Sequence, residues 1–293
     1  MEFNDLLRQA GHDPREVAIM LHSPAQSDQR RVLLALADEE PALFEAYQDN
    51  HPRSAEATLK KRPLAASFVV DDRGEARFAG LYRVAGWAER SMAEMDSDPS
   101  RQALIQRFRD VTFAEVGART GRTGRAVFDL RPLPDLAELR GRLVVPRPAG
   151  RAYMRLAENC ALPVRGIERE ARFLPPAPEW DDLVVSGAEV RSLPRDWQAR
   201  LREWRGVYHI LDAADGARYV GAAYGSENLL GRWQGHVAGN QGITAELAGR
   251  DPAGFRFSIL ELVAPTAPAD MVIAAEGRWK RRLQSREWGL NRN

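Results

Sequence analysis

Residues 206–221 read GVYHILDAADGARYVG. Two short apolar runs flank Ala213-Ala214-Asp215-Gly216, and each run carries one tyrosine, Tyr208 and Tyr219. An Asp-Gly pair between such runs predicts a β-hairpin, because glycine supplies the positive φ that a tight turn needs. Pairing Asp212 with Ala217 sets Ile210 against Tyr219 and Tyr208 against Gly221. Side chains alternate across a strand, so in this register both phenols share one face. A slip of one residue would part them.

The chain downstream adds polar groups at helical spacing. Ser226 is a candidate cap for a helix from Glu227 to about Gly239, and Arg232 and His236, four apart, share a face of it. Phe255 to Val263 (FRFSILELV) reads as a strand. Ala269 to Leu283 reads as a helix that holds Glu276 and Lys280, again four apart. Taken singly, each residue has a plain reading. Strand tyrosines usually pack, Glu276 and Lys280 make an ordinary ion pair worth about half a kcal/mol, and Asn291 is a turn residue.

The order of these elements resembles the GIY-YIG endonuclease family over residues 204–293. Gly206-Val207-Tyr208 stands where GIY would be, and Tyr219-Val220-Gly221 where YIG would be. Arg232 follows on a helix, Glu276 lies in the later helix as EGRWKRRL, and Asn291 closes the match in GLN. Both departures, Val for Ile, are conservative in a strand. The resemblance implies a metal-dependent nuclease module. One divalent ion, Mg2+ or Mn2+, would sit on Glu276 and Arg232 would neutralise the scissile phosphate. Tyr208 would act as general base, Tyr219 would orient water or phosphate, and Asn291 would support the metal helix or the tyrosine face. His236 matches a position that helps activate the first tyrosine in some restriction enzymes of the family.

These residue types suit that chemistry. Phosphodiester hydrolysis needs a base, charge neutralisation and help for the departing oxygen. Magnesium is typically held by one or two carboxylates and several waters, and an arginine fork suits phosphate. A free phenol titrates near pH ~10, so Tyr208 as a base requires His236, Arg232 or the metal to lower its proton affinity.

The expected fold class is mixed α/β (α+β): a small sheet flanked by helices at the C-terminal end, after a helical and β-rich N-terminal region. Residues 1–62 read as helical, from Phe3, Leu6 and Leu7 and from Val32 to Phe44 after a cap at Ser27 or Asp28. Residues 63–174 read as β-rich, with a hairpin from Leu64–Val70 to Ala76–Val84, strands near Ala126–Leu130 and Leu139–Pro146, and a short helix over Arg151–Ala161. This is the candidate DNA-targeting domain, and its YQD…SFVV…FAGLYRV stretch is similar to segments in other GIY-YIG-containing proteins. Residues 175–203, opening on PPAPEWDD, read as a linker and lead-in helix.

Composition adds outer limits. The 293 residues carry a net charge of +1, which does not mark the whole chain as a nucleic-acid binder. Lysine occurs only at Lys60, Lys61 and Lys280, a bias that phosphate recognition or GC-rich codons explain equally well. Two basic stretches are candidate DNA contacts: Arg119, Arg122 and Arg125 in a loop reading GARTGRTGR, and Arg282 and Arg286 near the end. Trp233, Trp279 and Trp288 read as packing residues. The single Cys160 makes no internal disulfide, and no Cys/His cluster suggests zinc. No apolar run is long enough to span a membrane and no signal pattern opens the chain, so a cytoplasmic protein is expected.

The functional expectation is an endonuclease of restriction or phage-defence type acting on DNA. A homodimer and a companion methyltransferase are left open as partners. The alternatives are a DNA-binding protein with an idle nuclease site and a repair or structure-specific nuclease directed by a partner.

Overall fold

The computed structural model describes residues 1–108, 110–150, 152–174, 177–239 and 247–292. The chain divides into two compact units, Met1–Leu174 and Pro175–Asn293. Both contain helices and a sheet, so the fold is of the mixed α/β class.

The first unit runs α1 (Phe3–Gln9), β1 (Val17–His22), α2 (Ser27–Glu39), α3 (Pro41–Gln48), α4 (Arg53–Leu59), β2 (Leu64–Val70) and β3 (Glu75–Ser91). It continues with α5 (Met92–Ser97), α6 (Pro99–Phe108), α7 (Phe113–Thr120), β4 (Gly124–Pro132), β5 (Leu143–Pro146), β6 (Met154–Leu156) and β7 (Gly166–Ile167). The strands form one sheet in the order β6-β1-β2-β3-β5-β7, and β4 pairs with the far half of β3. Strand β2 explains the layering. Its Leu64, Ala66, Phe68 and Val70 enter one core with Phe3, Ile19 and Phe78. Ala65 and Val69 point the other way, Val69 into a cluster with α2, α3 and α6. With both faces covered, LAASFVV has no reason to alternate polar with apolar.

Two expectations for this unit fail. Residues 1–62 are not purely helical, because VAIMLH at 17–22 is β1, buried at every position and parallel to β2. A short unbroken apolar run does not distinguish a buried strand from a buried helix. The helix expected over 151–161 is instead β6, antiparallel to β1, and a single 3-10 turn at Ala157–Asn159.

The second unit contains β8 (Val184–Ser186), α8 (Gly187–Val190), α9 (Arg195–Glu203), β9 (Arg205–Asp212), β10 (Arg218–Ala223), α10 (Asn228–Ala238), β11 (Phe255–Val263) and α11 (Ala269–Arg282). Its sheet is antiparallel throughout, in the order β10-β9-β11-β8. One face carries Tyr208, Ile210, Tyr219 and Phe257 against Leu229, Leu230 and Trp233 of α10. The other carries Val207 and Val220 against Ala275 and Trp279 of α11. Residues 184–203 are therefore more than a linker and lead-in helix, since β8 completes the sheet and Trp197 and Leu201 of α9 enter the core. Among the described residues no helix is long and apolar enough to cross a membrane.

Candidate active site

The hairpin has the register read from its sequence. Tyr219 lies opposite Ile210 and Gly221 opposite Tyr208. The Asp212 N–H donates to Ala217 O at 2.9 Å, and Gly216 turns the chain at φ 77. Both phenols thus lie on the α10 face, with ring centroids 6.4 Å apart. Gly221 makes this possible. A Cβ there would lie 2.4 Å from the Tyr208 ring and 2.8 Å from that of Tyr219, so the two rings close over a residue that has no side chain.

Helix α10 supplies the next layer. It begins at Asn228 rather than Glu227, and its N-cap is Glu227, not Ser226. One turn apart, Arg232 and His236 both face the tyrosines. His236 Nε2 lies 2.8 Å from the Tyr208 hydroxyl, and its ring stands edge-on to both phenols at 5.6 and 5.7 Å. Burial, reinforced by Arg232, lowers the His236 pKa to about 4, so the imidazole is neutral at pH ~7. With the Tyr208 hydroxyl donating, Nε2 accepts and the ring proton sits on Nδ1. That atom is buried without a hydrogen-bond partner.

Burial also acts on Tyr208, and in the opposite direction from the expectation. Its side chain is completely buried and its pKa is pushed up by desolvation first, then by Tyr219, against the opposing pull of Arg232. The phenol therefore keeps its proton at rest. Arg232 is exposed; its Nε donates to Ala222 O at 3.1 Å, and its guanidinium hydrogen-bonds the Tyr208 side chain. It has no carboxylate partner among the described residues. A guanidinium with no carboxylate partner, held by a backbone carbonyl and one phenol, is a ready anion site.

Glu276 of α11 lies within electrostatic reach of Tyr208. Its Oε1 is 3.3 Å from Lys280 Nζ, and both side chains are largely removed from solvent, at 16% and 4% exposure. No group of three or more His, Cys, Asp or Glu converges among the described residues. A single carboxylate suits a magnesium-like ion that keeps most of its waters, and Lys280 contacts one of its two oxygens, Oε1. Asn291, 1% exposed, is built into the edge of the sheet. Its Oδ1 accepts from Val220 N at 2.9 Å and its Nδ2 donates to Val220 O at 2.8 Å. Ser285 Oγ donates to the same Oδ1 at 2.7 Å. Asn291 thus acts as a short artificial strand beside β10, between Tyr219 and Gly221, and supports the tyrosine face rather than touching a ligand.

The basic stretches do not form one contact surface. Residues 117–125 are not a loop but the end of α7, a left-handed Gly121 at φ 67, and the start of β4. A capping box between Thr112 and Glu115 fixes where that helix begins. Arg119 is exposed, Arg122 is ion-paired with Glu56, and Arg125 lies over the Phe113 ring at 5.2 Å. Arg282 is exposed and stacks on Trp279 at 4.6 Å, and Arg286 is exposed. Trp288 does not pack, being 84% exposed. The sequence reading anticipates the Glu276–Lys280 ion pair from its i,i+4 spacing, and misses the part played by Ser285 and the close approach at Gly221. Nothing local marks Ser285.

Comparison with family models, with curated proteins and with solved structures returned no match to this chain.

Proposed function

We propose that the second unit is a GIY-YIG-type phosphodiesterase acting on DNA, with restriction or phage defence as its setting. The observation that carries this reading is the Arg232 guanidinium, which has no carboxylate partner among the described residues and hydrogen-bonds the Tyr208 side chain, with His236 hydrogen-bonded to the same phenol. Arg232 would take a non-bridging phosphate oxygen. Tyr208 would receive the proton of the attacking water at its oxygen while passing its own to His236 Nε2. This relay suits a phenol that burial keeps protonated and an imidazole that burial keeps neutral. Tyr219 would orient the water or the phosphate. Glu276 would hold one divalent cation, Mg2+ or Mn2+, which when bound supplies charge stabilisation at the departing oxygen.

The test is cleavage of plasmid and phage DNA, modified and unmodified, by the full chain with magnesium or manganese. Cleavage is expected, and Glu276→Gln is expected to abolish it while leaving DNA binding largely intact. One observation favours a second reading, a DNA-binding protein whose site is idle: Lys280 already neutralises Glu276, the carboxylate within reach of Tyr208. Absence of cleavage under every divalent metal would support that alternative.

A further inference from the structure

The first unit holds a cavity of about 520 Å³ that no part of the nuclease reading uses. It is lined from β1, α3, α6, α7, β4 and the segment before β6. Its size falls in the range of small-molecule sites. Six of its eighteen lining residues carry flat rings. Tyr47 stacks on Phe108 with centroids 5.4 Å apart and planes at 27°, and the His22 ring stands edge-on to Tyr47 at 5.4 Å. Tyr153 tilts against His51 at 6.0 Å, and its hydroxyl lies 2.9 Å from His51 Nδ1.

Three buried nitrogens in this lining are unsatisfied. His22 and His51 are 4% and 2% exposed, and the Nε2 of each has no hydrogen-bond partner. Arg125 Nε is likewise buried and unpartnered, and no carboxylate pairs with Arg125 among the described residues. Its Nη1 reaches only Asn50 Oδ1, at 3.2 Å. By contrast the other arginine of the lining, Arg101, is held by Asp49 at 2.9 Å. Burial drives the pKa of both histidines down, to about 3 for His22 and about 4 for His51, so each imidazole is neutral. A neutral imidazole offers one donor and one acceptor.

A purely apolar ligand would leave these three nitrogens buried and unpaired, which disfavours it. A simple anion would use Arg125 and waste the rings. A planar heterocycle with ring nitrogens and exocyclic oxygens or amines satisfies both sets at once. Its faces stack on the tyrosines, its edge meets the imidazoles, and a carbonyl oxygen or ring nitrogen takes the guanidinium. Enzymes that handle an extruded base read it by this combination of stacking and edge hydrogen bonds.

We propose that this cavity is a nucleobase-binding site, read by His22, His51 and Arg125 between aromatic walls. The base comes either from a free nucleotide or from a strand out of which it has been extruded. Only the second source rests on the phosphodiesterase reading. If that reading holds, the cavity supplies the base recognition that Arg232 and Glu276, which meet phosphate and metal, do not.

The experiment uses the full chain without added metal. Binding of the four deoxynucleoside 5′-monophosphates is measured by calorimetry, and binding of short duplexes with one 2-aminopurine by fluorescence. Two variants accompany it. Val116→Trp fills the cavity from a partly exposed position on α7, and His51→Phe keeps a ring but removes the nitrogens; thermal unfolding confirms that each is folded. At least one nucleotide is expected to bind, with a loss of about tenfold or more in both variants. A 2-aminopurine signal that the variants also lose assigns the base to DNA, and nucleotide binding without that signal assigns it to a free nucleotide. No binding of either probe, or binding unaffected by both folded variants, overturns the proposal. Nucleotide binding is read without metal and cleavage is read with it, so failure of the cleavage reading and failure of the cavity reading are separable.

Discussion

Gly221 shows how much of the candidate site depends on an atom that is missing. The shared face of the two tyrosines is legible in the sequence because the Asp-Gly turn and the period of two fix it. The reason for the glycine is not, since it lies in a close approach of two rings across the strand pair. Gly221→Ala must push a ring aside or open the hairpin. We expect a loss of about 1–3 kcal/mol in unfolding free energy, as for other overpacked sites, measured by denaturant titration. Cleavage should fall further than the stability loss alone would cause, because Tyr208 would leave His236. Unchanged stability in the Gly221→Ala variant would mean that the rings do not close over this residue. The chemistry of Tyr208 is only partly legible. A phenol on a strand does not reveal whether its surroundings raise or lower its pKa, and here complete burial decides for raising.

At the scale of the element, β10 is an edge strand, and edge strands expose unpaired N–H and C=O groups. Asn291 covers one such pair with its side-chain amide, and the Leu290 N–H donates to Arg218 O at 2.8 Å next to it. The last residues of the chain thus extend the sheet without being a strand. Asn291→Ala would strand the Val220 N–H and C=O together with the Ser285 hydroxyl. A destabilisation of about 1–3 kcal/mol is expected, read from the shift of the unfolding midpoint, with faster hydrogen exchange at β10 than elsewhere in the sheet. Uniform exchange across the four strands would contradict this role. The strand Phe255–Val263 and the body of α11 are readable from local periodicity. Strand β1 is not, because six buried residues without alternation carry no period. The end of α7 is hidden by GARTGRTGR, whose glycines and threonines look like a loop until the Thr112–Glu115 capping box is seen to start a helix.

For the whole molecule, the histidines set a common direction. Of the five in the chain, His22, His51, His209 and His236 all have pKa values lowered chiefly by burial. An unfolded histidine titrates near pH ~6.5. As pH falls below that value the unfolded chain takes up protons that the folded one refuses, so stability is fully present above pH ~6.5 and is lost on the way down towards pH ~4. Three of the four line the first unit's cavity or the tyrosine site: His22, His51 and His236. Thermal unfolding between pH ~7 and pH ~4.5 should show a falling midpoint, and His236→Phe should flatten part of that slope. A midpoint that rises on acidification would contradict the burial of these rings. The α/β class and the order of strands and helices from β9 to α11 are legible because their signals are local, whereas β8, three residues inside the expected linker, is not. The cavity of the first unit is not, since it gathers residues from His22 to Tyr153 that only the fold brings together.

In the proposed function Arg232, Tyr208, His236 and Glu276 form one phosphodiesterase site. The most direct measurement is magnesium-dependent cleavage of a DNA panel by the full chain beside its folded Glu276→Gln variant. Cut DNA with defined ends is expected from the parent chain, and uncut but still bound DNA from the variant. Equal cleavage by both proteins, or none by the parent chain with any divalent metal, would contradict it.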